Sequence, residues 1–138
     1  MGSQLEECGC SPKKIEVHHL GGETDSYPYQ PRRRNEGEPL RVLMAGRFVE
    51  KKGFPDGLRA FATFVEQGGE GRLTIIGDAR ESKSSQAMKQ KLLRIVEDQN
   101  IEERVTFRGI VPKEALKDAY YQHHVLLSPK SRSKVRRQ

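Results

Sequence analysis

Only two cysteines occur in the 138 residues, Cys8 and Cys10. One intervening residue brings them too close for an ordinary disulfide, and no second pair exists to complete a zinc site. Long apolar runs are missing too: nothing approaches the ~18 to 20 consecutive apolar residues of a membrane span. The stretch "MGSQLEECGC" carries acids and no apolar core, so it does not read as a secretory signal, and the expected compartment is the cytoplasm. The histidines come in two adjacent pairs, His18–His19 and His123–His124. In a strand the members of each pair point to opposite faces, so half-buried polar roles are expected of them rather than metal ligation.

Acidic residues are absent from the last nine positions. "KSRSKVRRQ" holds Lys130, Arg132, Lys134, Arg136 and Arg137; removing these five charges from the net +6 leaves +1 for everything before. Three further cations sit together at Arg32, Arg33 and Arg34. The body is therefore near neutral and lacks the basic stripe interleaved with aromatics that single-strand binders use. Nucleic acid is not the expected partner. The tail admits two readings: a basic arm for anionic lipid or nucleic acid, or an accidental ending produced by truncation or frameshift after Pro129. The second is preferred, because five cations without an aromatic or amphipathic pattern mark no specific partner.

What the chain does have is regular alternation. Residues 1–39 combine a short helical or turn segment, a strand candidate in "KKIEVHHL", and "GGETDSYPYQPRRRNEGEP", whose Gly, Pro and charge read as a loop or linker. From Leu40 the pattern sharpens. "LRVLMAG" is a strand candidate, and the helix after Pro55 places Leu58, Phe61, Ala62 and Val65 at i, i+3, i+4, i+7. "RLTIIGD" is a second strand. A longer helix follows with Met88, Leu92, Ile95 and Val96 on one face, then "RVTFRG" as a third strand. Pro112 opens a helix with Ala115, Leu116 and Ala119 as its buried stripe, and "HHVLLSP" is a fourth short strand. Such alternation predicts an α/β fold: a Rossmann-like parallel sheet with helices on both faces.

Three of these strands end in glycine, at Gly46, Gly77 and Gly109. Ligands of open parallel sheets bind at the carboxyl ends of the strands, and glycine there lets ligand atoms approach the backbone. The loop after the first strand, "AGRFVEKKGF", adds Arg47, Lys51 and Lys52 between Gly46 and Gly53. Arg47 offers a planar fork for phosphate oxygens, and the lysines precede a helix whose first amides also favour an anion. The spacing is neither that of a Walker loop nor G-x-G-x-x-G. The competing reading has these cations paired with Glu50 and Asp56 on a solvated loop. Asp78 and Glu114 lie near the same edge and read as ordinary solvated acids, so no general base or nucleophile is nominated.

The stretch "LRVLMAGRFVEKKGFPDGLRAFATFVEQGGEGRLTIIGD" resembles the start of the C-terminal, nucleotide-sugar-binding domain of retaining GT-B glycosyltransferases, of the exopolysaccharide and colanic-acid type. "ERVTFRGIVPKEALKDAYYQHHVLLSP" is similar to the next part of that domain, and "CSPKKIEVHHLGGETDSYPYQPR" to the passage leading into it. The resemblance implies an incomplete C-terminal half of a GT-B fold: 1–39 as the end of an N-terminal domain and linker, 40–129 as a partial donor-binding domain, and 130–138 as a disordered tail. It implies a glycosyltransferase of the hexosyltransferase type that uses a nucleotide-diphosphate sugar and needs no metal or cofactor. The acceptor would be a glycan or a lipid-linked acceptor, and the enzyme would be cytoplasmic, working at the inner face of the membrane in peripheral contact with it. Arg47, Lys52 and Gly46 match the family's diphosphate-binding positions. Gly109 to Lys113 matches its base-contacting loop, with the backbone of Ile110 and Val111 reading the base. The family's two-glutamate motif, expected after "SP", has no counterpart in "KSRSKVRRQ", which implies a chain inactive alone. "GDARES" also lacks the further glycine the family carries after "GD". A non-catalytic nucleotide- or phosphate-binding module acting with a partner chain is the alternative.

Overall fold

The computed structural model describes residues 2–19, 21–22, 24–79 and 82–129. The basic tail expected at 130–138 lies outside them. After a short helix α1 (Gly2–Glu7), the ordered sequence is β1 (Leu40–Ala45), α2 (Phe54–Glu66), β2 (Gly71–Ile76), α3 (Lys83–Asp98), β3 (Val105–Gly109), α4 (Lys113–Gln122) and β4 (Val125–Leu126). The four strands form one parallel sheet in the order β3-β2-β1-β4.

The sheet is apolar on both sides because β1 and β2 are apolar at successive positions, the pattern of a strand covered on both faces. On one face Val42, Met44, Leu73 and Ile75 pack against Phe54, Leu58, Phe61 and Ala62 of α2 and Leu92, Ile95 and Val96 of α3. On the other, Leu43 and Ile76 meet Ala119 of α4, with Leu116, Val111 and Tyr120 partly buried around them. Each helix starts where its sequence permits. Gly53 adopts φ 65°, a left-handed turn that redirects the chain into α2, and Pro55 occupies the first turn. Ser82 caps α3: its side-chain oxygen accepts the Ser85 N–H at 3.2 Å.

One expectation for residues 1–39 needs correction. The described part of "KKIEVHHL" is not a strand: Pro12–Lys14 is a 3₁₀ turn, and residues 15–19 belong to no helix or strand. Its apolar residues are too few to cover a sheet face, and Val17 stays exposed. The Gly- and Pro-rich segment is a loop, as its composition suggests, and its residues 27–32 are clasped onto α4. The Tyr121 hydroxyl donates to the Pro28 carbonyl at 2.9 Å, and Arg32 Nε donates to the Tyr121 carbonyl at 3.2 Å. The Arg32 guanidinium lies 5.1 Å from the Tyr121 ring, and Tyr27 meets Tyr120 edge-on at 6.4 Å.

β4 pairs with β1 over two residues and leaves Val125 42% and Leu126 53% exposed. The sheet therefore has an apolar edge at β4. The adjacent histidines fix its start. His124 donates its N–H to the Arg41 carbonyl at 2.8 Å, and its Nδ1 accepts the Arg41 N–H at 3.0 Å, so an imidazole replaces a ladder carbonyl. His123 points to the other side, its Nδ1 2.7 Å from the Ala119 carbonyl and its Nε2 2.9 Å from Thr74 Oγ1. Both have structural work, as their adjacency suggested.

Candidate functional site

The loop after β1 is anchored by an aromatic pair and left polar elsewhere. Phe48 is only 1% exposed and packs edge-on against Phe54 at 5.2 Å. Around that anchor Arg47, Lys51 and Lys52 are exposed. Among the described residues none of the three forms an ion pair with Glu50 or Asp56; Asp56 instead approaches Arg59 at 3.4 Å. The loop therefore presents unneutralised positive charge, and the competing reading of an internally paired loop is not what the fold adopts.

The ends of β1 and β2 and the β3–α4 connection enclose a cleft of about 200 Å³. Its lining is Ala45, Gly46 and Arg47 from the first, Ile76, Gly77 and Asp78 from the second, and Ile110 and Val111 from the third, with Leu116 of α4. Four predicted site residues thus meet: Gly46, Arg47, Ile110 and Val111. Lys52 stands at the margin, its Cδ 3.9 Å from where a Cβ on Gly46 would lie. Gly109 and Lys113 flank the cleft without lining it. Lys113 is the first residue of α4, and the Gly109 carbonyl accepts the Gly77 N–H at 2.8 Å.

The three strand-ending glycines have positive φ, at 150° for Gly46, 143° for Gly77 and 67° for Gly109, but their surroundings differ. A Cβ on Gly77 would collide with the Gly46 carbonyl oxygen. What approaches Gly77 is the neighbouring chain turn, so this glycine lets the ends of β1 and β2 close together. A Cβ on Gly109 would meet nothing within 4 Å. The space beside Gly109 is open, whereas at Gly77 the fold itself fills it.

Sequence reasoning left Asp78 as a solvated acid. It lines the cleft, and its Oδ1 accepts both the Lys89 Nζ at 3.1 Å and the Ala79 N–H at 2.7 Å. The hydrogen bond from Lys89, and then that from Ala79, hold its carboxyl below the usual range. The only signal in the sequence was "GD" at the end of a strand; nothing linked it to a lysine eleven positions on. Leu116 was read as buried stripe alone, yet it also floors the cleft. No general base or nucleophile emerges from these residues.

An open parallel sheet with helices on both faces and a cleft at its carboxyl edge is a Rossmann-like architecture. The chain belongs to the family "Glycosyl transferases group 1", whose description matches residues 28–133. It is 29% identical over 126 residues to the amylovoran biosynthesis glycosyltransferase AmsK of Erwinia amylovora, covering 91% of this chain and 29% of that protein. The putative colanic acid biosynthesis glycosyltransferase WcaL of Escherichia coli (strain K12) is 27% identical over 127 residues, with the same two coverages. The chain thus spans under a third of these relatives' length. Among solved structures, sucrose-phosphate synthase from Thermosynechococcus elongatus aligns with a TM-score of 0.59 and 29% identity over 67% of this chain and 22% of that one. The apo lipopolysaccharide outer core galactosyltransferase WaaB aligns with a TM-score of 0.65 and 23% identity over 94% of this chain and 34% of its own. The resemblance to exopolysaccharide glycosyltransferases and the Rossmann-like sheet of the GT-B kind both hold.

Proposed function

We propose that this chain supplies donor-side groups for retaining transfer of a sugar from a nucleotide-diphosphate sugar to a glycan or lipid-linked acceptor. The observation that carries the reading is the meeting of Gly46 and Arg47 with Ile110 and Val111 in one cleft at the carboxyl edge of the sheet. Arg47, with Lys52 at the margin, offsets negative charge as it grows on the oxygens of the departing nucleoside diphosphate. Electrostatic stabilisation of this kind is commonly the largest contribution to such a step. Gly46 lets the diphosphate approach the backbone, and Ile110 and Val111 of the Gly109–Lys113 loop hold the base. No metal ion or cofactor enters this proposal. No helix of the described residues is long and apolar enough to cross a membrane, and the reading places the protein in the cytoplasm, in peripheral contact with the membrane face where a lipid-linked acceptor is presented.

Charged hydrogen bonds contribute about 1.5 to 3 kcal/mol each, so Arg47→Ala should weaken diphosphate binding roughly 10- to 100-fold. Calorimetric titration with UDP, GDP and ADP tests this. Selective binding of one, lost in the variant, supports the donor site and identifies the base; binding of none by the wild-type chain refutes it.

A second reading, a non-catalytic nucleotide-binding module, draws on one observation: among the described residues the only carboxylate lining the cleft, Asp78, is engaged by Lys89. The chain on its own is then inactive. Sugar transfer appearing on addition of a candidate partner chain would favour the enzyme; binding without transfer would favour the module.

A further inference from the structure

The cleft contains a contradiction for any anionic ligand. Asp78 lines the same cavity as Arg47, and a bare carboxylate there would repel a diphosphate that Arg47 attracts. The fold answers with a residue outside the cavity lining. Lys89, one turn and a half into α3, reaches back to Asp78 Oδ1 at 3.1 Å. We infer that Lys89 is a positioning residue for anion binding: it pairs with Asp78 through Oδ1 and offsets the carboxylate's charge, so that the cleft keeps the positive character set by Arg47. This rests on the donor-site reading above and adds to it a residue that touches no ligand.

The geometry is directional. The same oxygen, Oδ1, takes the Lys89 ammonium and the Ala79 N–H at 2.7 Å, which fixes the carboxylate's rotation against both. The side chains of Lys89 and Asp78 are 41% and 33% exposed, so the pair adds little to folding stability. Its consequence is electrostatic and local. Without the lysine, a unit negative charge is restored close to where the diphosphate would sit, and the penalty is felt by charged ligands only.

Calorimetry on the full chain with UDP, GDP and ADP, each beside its uncharged nucleoside, tests the inference. Lys89→Gln should weaken the nucleoside diphosphate that binds wild type best by about 3- to 10-fold at low salt. The nucleoside should be unaffected, and the deficit should shrink toward 1 M salt as screening grows. Lys89→Arg should bind as wild type does, and Asp78→Asn with Lys89→Gln should restore what Lys89→Gln lost. A Lys89→Gln protein that binds the diphosphate normally, or loses nucleoside equally, overturns the inference and leaves the donor site standing. Should Lys89→Gln not fold, Asp78→Asn alone decides: binding at least as tight as wild type supports the inference, and loss of binding makes Asp78 a ligand contact and sinks it. Failure of the wild-type chain to bind any of the three removes the donor-site reading itself.

Discussion

On one face of the sheet, α2 and α3 bury Phe54, Leu58, Phe61, Leu92, Ile95 and Val96; on the other, α4 contributes Ala119 as its single fully buried residue. The first face is a finished core. The second is thin, and is supplemented from outside by the clasp of residues 27–32 on Tyr120 and Tyr121. The cleft lies where the thin face meets the carboxyl edge. Ile110, 71% exposed, and the half-buried Val111 and Leu116 keep apolar surface that a ligand could cover. A thick face that holds the strands in place thus leaves the thin one open at the cleft.

That contrast can be attacked first at its strong side. Leu58→Ala removes a side chain with no exposed surface from the thick face and should cost about 2 to 5 kcal/mol, read as a lower urea midpoint. A loss below about 1 kcal/mol would mean the face is less well packed than it looks. The clasp should matter less. Tyr121→Phe deletes the hydroxyl that donates to the Pro28 carbonyl, and about 0.5 to 1.5 kcal/mol is the expected loss. Faster proteolysis near residues 27–32 at unchanged core stability would show that the clasp is local. An equal loss of global stability would instead make it part of the core.

The smallest expected effect is a slope with pH. Burial, helped by the nearby charges of Arg41 and Arg34, lowers the pKa of His124, while Glu38, 3.9 Å away, stands on the opposing side. Burial likewise lowers that of His123, with the Ala119 carbonyl opposing. The unfolded chain then binds more protons than the folded one once pH drops below about 6.5, so stability is present above that pH and declines as pH falls through the folded pKa values. Protonation of His124 Nδ1 also removes the acceptor of the Arg41 N–H. Denaturation midpoints at pH 7.5 and 5.5 should differ in the wild type and differ less in His124→Gln. An unchanged difference in the variant would exclude His124 as the source.

Much of this architecture was legible from local pattern. The apolar runs of β1 and β2, the helical spacing of Leu58, Phe61 and Ala62, and glycine after each of three strands all follow from periodicity and backbone freedom. So did the grouping of Gly46 and Arg47, since they are neighbours in the chain. The failures share a cause. "KKIEVHHL" has strand-like residues, but a strand needs a partner edge, and pairing is a property of the whole sheet. The clasp joins residues about ninety positions apart, Arg32 to Tyr121 and Pro28 to Tyr121, where spacing along the chain carries no information.

Alternation, the strands from Leu40 onward, covered faces and the position of a cation-bearing loop at a strand end were determined by the sequence alone, because each depends on residues within one or two helical turns. The closed approach of Gly77 to Gly46, the ion pair of Asp78 with Lys89, the imidazole of His124 standing in for a ladder carbonyl and the enclosure of the cleft by three connections were decided only by tertiary structure. Each requires two backbone segments to be brought together by packing, and the free energy that does so comes from a core that no single segment contains.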